Sequence, residues 1–267
     1  MRRSALPILI VACTVVAAIL AWLVVQRLFH PVPADDTGGP VTSEIRTPGA
    51  FTKVDISGRA NIELVQGPRH EVVVEASPGQ QDRIRTNTEG NTLVISTDGR
   101  SGWRPFRRPG RTPRIVITAP TLEAVALAGA LHLKAGALDV PALRIAAAGA
   151  TNVKIEALKT DALRFAGSGA VKADLAGQAT DLTISLAGAG DVRAAQLASE
   201  TAKVSVSGAG KVVVNAEKTL RVSLSGAGSV EYLGNPEVKQ SVSGIGRVKR
   251  RDGDPSPART KLQVAIA

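Results

Sequence analysis

"SVSGAGKVVV" at residues 205–214 returns as "SLSGAGSVEY" at 223–232 and "SVSGIGRVKR" at 241–250, each a Gly-x-Gly set between short stretches of alternating apolar residues. With the first glycine as marker, the figure recurs at Gly129, Gly149, Gly167, Gly188, Gly208, Gly226 and Gly244, at intervals of 20, 18, 21, 20, 18 and 18 residues. Four residues after the marker stand Leu133, Val153, Val171, Val192, Val212, Val230 and Val248. Two before it stand Leu127, Ala147, Phe165, Leu186, Val206, Leu224 and Val242; four before it, Val125, Ile145, Leu163, Ile184, Val204 and Val222, with Gln240 the exception. Apolar residues at steps of two mark strands whose alternate side chains face one interior. Glycine tolerates positive φ and close backbone approach, so each Gly-x-Gly reads as a bend between two short strands.

One such unit cannot bury its apolar face alone, and successive units must stack edge to edge. Strands about 4.8 Å apart would make seven units a stack of roughly 34 Å. The expected fold class is all-β, a right-handed parallel β-solenoid, the hand following that of parallel crossovers. An antiparallel sandwich is the rival, but sandwiches rarely repeat one glycine at one phase.

"FTKVDISGRANIELVQG" (51–67) fits the repeat through Gly58, with Ile56, Ile62 and Leu64 in the apolar phase. "HEVVVEA" (70–76), "RIRTNTEGNTLVIST" (83–97) and "RIVITAP" (114–120) read as further strands, the second a hairpin turning at Glu89, Gly90 and Asn91. Residues 51–120 are therefore expected to be an atypical part capping the first edge, and 121–250 the regular repeats, together a domain over 49–250. Residues 251–267 begin polar and Pro-rich and end "KLQVAIA", a tail with room for one closing strand.

"ALPILIVACTVVAAILAWLVV" (5–25) is 21 residues without a charge, enough to cross a bilayer. Arg2 and Arg3 precede it and only Arg27 closely follows, which orients the bulk of the chain outside the cytoplasm. Residues 1–27 are read as a transmembrane signal anchor and 28–48, rich in Pro and Gly, as a linker. The domain is expected to be periplasmic and anchored in the inner membrane, or exported if the segment is cleaved near "VPA" at 32–34. The only cysteine, Cys13, lies inside the run, so the remainder has neither a disulfide framework nor a cysteine metal site.

Aromatics make up 3% of the chain while 26 residues are glycine, which points to a thin interior of Val, Leu, Ile and Ala. The formal charge is +10, and +7 without Arg2, Arg3 and Arg27. That balance suits anionic lipid or glycan surfaces; nucleic acid is not expected for an exported domain.

The serial "SGAG" units, the opening at 51–67 and "SVEYLGNPEVKQSVSGIGRVKR" at 229–250 together resemble the head GIN domain family, bacterial envelope proteins labelled auto-transporter adhesins. The likeness covers about residues 49–250. It implies a β-helix-like stack of strands and no established activity. The chain departs from that pattern in its long anchor-like run and in an arginine-rich insertion.

No constellation for catalysis emerges. A strand, not a helix, follows each Gly-x-Gly, unlike a dinucleotide fingerprint. Three residues after the markers come His132, Asn152, Ala170, Asp191, Lys211, Ser229 and Arg247; one acid makes no calcium ladder. His30, His70 and His132 lie in three segments and read as surface residues, so no metal and no cofactor is expected. Ser205, Ser207, Ser223, Ser225, Ser241 and Ser243 are outward partners of the inward Val and Leu. Asp174, Asp181 and Asp191 are scattered by phase, whereas a glycan-processing enzyme on a β-helix scaffold, the alternative function, needs paired carboxylates.

Two surface features remain. Ala128, Ala148, Ala166, Ala187, Ser207, Ser225 and Ser243 just before the marker, with Ala126, Ala146, Arg164, Ser185, Ser205, Ser223 and Ser241 two positions earlier, form small outward columns. They reflect crowding beside a bend or a smooth face for self-association or a glycan. "GRSGWRPFRRPGRTPR" (99–114) sets Arg100, Arg104, Arg107, Arg108, Arg111 and Arg114 around Trp103 and Phe106 without an acid, a pattern suited to phosphate, carboxylate or a lipid interface. The reading is a non-enzymatic envelope protein serving adhesion, scaffold or surface binding, with an envelope sensor of anionic lipid or glycan as a further alternative.

Overall fold

The computed structural model describes residues 40–97 and 111–251. The anchor-like run, most of the linker, the tail from 252 and the loop residues Arg100, Trp103, Arg104, Phe106, Arg107 and Arg108 lie outside the described residues. Among those described the fold is all-β, apart from one short helix, α1 (Pro78–Gln81). No described helix is long and apolar enough to cross a membrane.

The described residues form eleven strands, β1 (Thr42–Arg46), β2 (Lys53–Gln66), β3 (Glu71–Ala76), β4 (Arg85–Glu89), β5 (Thr92–Ser96), β6 (Arg114–Ala119), β7 (Ala124–Asp139), β8 (Ala142–Gly226), β9 (Ser229–Leu233), β10 (Glu237–Gly244) and β11 (Arg247–Arg250). If straight, the 85 residues of β8 would span roughly 280 Å. Instead the chain bends at its glycines and comes back into parallel register. Gly58 pairs with Gly129 and Gly129 with Gly149; Gly226 pairs with Gly244, Val212 with Val230, and Val230 with Val248. Val192, Val212 and Val230 are all fully buried.

The two glycines of a unit have different jobs. Gly149 has φ of 93°, and a Cβ there would lie 2.6 Å from the Gly129 carbonyl oxygen. Only glycine permits both that dihedral and that approach. The second glycine makes room for a side chain. A Cβ at Gly190 would lie 3.3 Å from Leu186 Cδ1, and one at Gly228 would lie 2.9 Å from Leu224 Cδ1. From Gly188 onward the residue two before the bend is Leu or Val and the residue two after it is Gly, whereas at Gly129 the buried Leu127 and Leu131 flank the bend together.

The bend expected at Gly167 is corrected to Gly169. Gly169 carries φ of 96° and sits 2.7 Å, measured from a built Cβ, from the Gly149 carbonyl oxygen, while Gly188 stacks in turn on Gly169. Gly167 is a buried interior position with no positive φ. A Cβ there would come within 2.7 Å of Leu186 Cδ2 and 3.4 Å of the Phe165 ring. Phe165 is the one fully buried aromatic ring among the regular units, Tyr232 being only partly buried, and its neighbour in the interior shrinks to hydrogen to admit it. The volume is made up across the bend, where Val171 replaces the usual glycine; the preceding unit does the same with Ala147 and the buried Thr151. In these two units close packing is met by moving bulk from one side of the bend to the other. With the corrected phase Ala173, not Val171, joins the file of Val153 and Val192, and Arg164 leaves the small column, giving its place to Ala166.

The start of the stack is covered by its own chain. The first half of β2 pairs in parallel with β5 and the second half with β6, opposite the edge that pairs with β7. β4 closes a hairpin on β5, with Glu89 opposite Thr92 across Gly90 and Asn91. β3 and then β1 continue antiparallel from β6. Arg46 ties this cover down by donating to the Ile84 carbonyl at 2.7 Å and to Thr86 Oγ1 at 2.8 Å.

Candidate functional site

Outward side chains alternate with the interior files, so each column of one surface repeats at the strand spacing. Before the bend, the columns one and three residues ahead of the glycine hold only small residues from Ala126 to Ser225 once Gly169 is the marker. They line an open groove of about 710 Å³ running across the strands, with Asp55 at its start.

Two residues further out stands a column that the sequence reading did not single out. It runs Lys53, Ala124, Arg144, Arg164, Thr183, Lys203, Arg221 and Lys239. The registers Lys53–Ala124, Ala124–Arg144 and Arg221–Lys239 are direct pairings; Arg164 and Lys203 take their places from the stacked glycines. Arg144, Arg164, Lys203 and Arg221 are exposed, and among the described residues none has an ion-pair partner or a side-chain hydrogen bond. Lys239 is paired with Glu237 at 3.1 Å. Like charges one strand spacing apart repel by on the order of 1 kcal/mol even in water, a cost that an anion laid along the column relieves. The misplaced bend hid this column, because Arg164 was assigned to a different one.

The surface after the bend carries clusters built the opposite way, although Lys172 and Arg247 there are without an ion pair among the described residues. Glu156 accepts from Lys134 and Lys154, each at 3.3 Å, and the Lys134 hydrogen bond is the main cause holding its carboxyl below the usual range. Glu231 is held down in the same sense, first by Lys211 at 2.9 Å. Asp174 and Asp191, scattered in the sequence reading, are brought together around Arg193, at 3.9 and 2.7 Å. Both face one guanidinium, which suits an ion-paired cluster better than an acid and base flanking a substrate.

Of the loop arginines within the described residues, Arg114 opens β6 and its guanidinium bridges Glu63 at 2.5 Å and Glu75 at 3.2 Å; the Glu63 bond is the main reason its charged form is favoured further. Arg111 is exposed, and its carbonyl accepts from Gln80 Nε2 at 2.8 Å. His70, expected on the surface, is half-buried with its ring 4.8 Å from that of Phe51, because Phe51 fills the interior beneath the cover. His132 is exposed. Among the described residues no group of three or more His, Cys, Asp or Glu is placed to hold a metal ion.

Stacked parallel units, an antiparallel cover and a small-residue groove define a repetitive all-β class of protein. The chain belongs to the family described as "Putative auto-transporter adhesin, head GIN domain", which it matches over residues 50–236. A solved structure from Bacteroides fragilis, named a "putative adhesin", is similar at 26% identity with a TM-score of 0.72, over 80% of this chain and 98% of that one. A "putative lipid binding protein" from Parabacteroides distasonis (17% identity, TM-score 0.58, 81% and 98% coverage) and a "putative adhesin" from Parabacteroides merdae (16%, 0.57, 80% and 98%) share the fold. No curated protein matches the chain significantly. The family description speaks of adhesion and names no reaction.

Proposed function

We propose that the chain is a non-enzymatic cell-envelope protein, held in the membrane through residues 5–25, whose domain winds as a right-handed parallel β-solenoid outside the cytoplasm and binds an anionic surface or polymer. The observation that carries the binding reading is the column of Arg144, Arg164, Lys203 and Arg221, unpaired among the described residues and running beside the groove. Exposed cations in register offer forked and single-point contacts to carboxylate, sulfate or phosphate groups repeated along a ligand. The small side chains let that ligand approach the backbone. Parallel registers at 18- and 20-residue separations support the winding, and the preferred hand of parallel crossovers supports its sense. The family description supports the adhesive role.

The arginine-rich loop is the second candidate for the same chemistry. The detergent-solubilised full chain is therefore compared in two variants, one with Arg144, Arg164, Lys203 and Arg221 changed to Ser and one with the six loop arginines changed to Ser. Binding is read on acidic liposomes and on an array of carboxylated and sulfated glycans. Loss in the first variant alone is expected; unchanged binding there, with loss in the second, moves the site to the loop. Liposome-only or glycan-only binding decides the source of the anionic group.

A further inference from the structure

The far end of the stack lacks a cover among the described residues. β10 and β11 pair on one side only, with β8 and β9. Val242 is 42% exposed, and Val238 and Val248 are partly exposed. Their register partners beneath, Leu224, Leu220 and Val230, are buried. The described chain leaves this edge at Arg251, whose N–H still donates to the Tyr232 carbonyl at 2.8 Å.

Beyond it, "KLQVAIA" (261–267) aligns without a gap to the half-unit that precedes a bend: "ALRIAAA" (142–148), "DLTISLA" (181–187) and "TLRVSLS" (219–225). Second, fourth and sixth positions in those segments are the buried files, Leu220, Val222 and Leu224 in the last of them; the matching residues are Leu262, Val264 and Ile266. Fifth and seventh positions are the small groove columns, and Ala265 and Ala267 match them too. The unit already at the edge, "EVKQSVS" (237–243), breaks the pattern with Gln240.

We propose that residues 261–267 form a closing parallel strand on the free edge of β10, with Leu262, Val264 and Ile266 over Val238, Gln240 and Val242. Alternation within the strand then keeps the three apolar side chains on the interior face. Residues 252–260 have ample length to carry the chain back across the unit, at up to about 3.3 Å per residue. A second copy docking edge to edge is disfavoured by charge: Lys239, Arg247, Lys249, Arg250 and Arg251 stand against Glu237 alone in the last unit. The tail carries Asp252 and Asp254 against Arg259 and Lys261, so its side chains add no net positive charge to that end, unlike a second copy.

Hydrogen exchange of the detergent-solubilised full chain tests this. Changing Leu262, Val264 and Ile266 to Ser should speed exchange of the β10 amides by about tenfold or more and leave β2 and β7, the built-in report on folding, unchanged. Gln263→Ser, on the outward side of the proposed strand, should leave β10 as it is. Equal β10 exchange in the parent and the triple variant overturns the proposal. So does β10 protection that falls on dilution of the parent, which would assign the cover to a second copy.

Discussion

The surface before the bend, with Arg144, Arg164, Lys203 and Arg221, and the surface after it, with Lys154, Glu156 and Arg193, belong to the same units and are only a few residues apart in each. On the second, cations meet carboxylates within 2.7 to 3.9 Å. On the first, they meet none among the described residues. The contrast is between these two clusters, since Lys172 after the bend also lacks a partner among the described residues and Lys239 before it pairs with Glu237. Paired charges satisfy one another and contribute modestly to the fold; an uncompensated column keeps its field for something outside the molecule.

The largest expected effect comes from breaking what aligns both surfaces. Gly208→Val would force a β-branched residue to φ of 120°, with a Cβ 2.5 Å from the Gly188 carbonyl oxygen. A loss of about 4 kcal/mol or more in urea unfolding is expected. A loss below about 1 kcal/mol would show that the stacking of glycine on carbonyl does not hold the register.

Next comes the volume exchange inside the Phe165 unit. Phe165→Ala should cost about 3–5 kcal/mol. Phe165→Ile combined with Gly167→Leu gives these two positions the residue types of the later units and should be less destabilising than the sum of the single changes by about 0.5–3 kcal/mol in a double-mutant cycle. Strict additivity would break the claim that the two positions share one space.

The direct test of the contrast uses charge reversal. Arg144→Glu with Lys203→Glu should leave urea stability within about 0.5 kcal/mol while weakening binding to acidic liposomes or glycans and flattening its salt dependence. The control, Lys154→Met on the other surface, should leave binding untouched. An equal loss of binding in both would mean that net charge, not the column, decides.

The smallest effect sharpens the paired side. The Glu231 carboxyl is held low in the folded state by Lys211, so the pair's contribution is present above the ordinary carboxylate range and fades as pH falls through the depressed folded value. Lys211→Met should cost less than about 1 kcal/mol at neutral pH, and the difference from the parent should close in acid. A difference that persists there points to lost packing of the lysine stem instead.

Much of this arrangement is legible in the residues. Alternation at steps of two around Gly208, Gly226 and Gly244 gives the inside and outside of each strand, and the hairpin at Gly90 follows from local turn chemistry alone. The unit near Gly169 resists that reading. "GSG" at 167–169 offers two glycines with the same neighbours, and Phe165 fits an apolar file under either choice. One trace pointed to the answer, since Arg164 stood as the sole charge in a column of Ala and Ser until the phase moved by two.

The sequence by itself determined the strand periodicity, the bends and the aliphatic character of the interior, because each depends on a few adjacent side chains and their own backbone preferences. Which glycine carries the bend, which cations share a column and how the first edge is covered were decided only in the tertiary structure. Those facts depend on what lies one strand spacing above and below, and such neighbours are 18 to 20 residues away in the regular stack and 71 between Gly58 and Gly129.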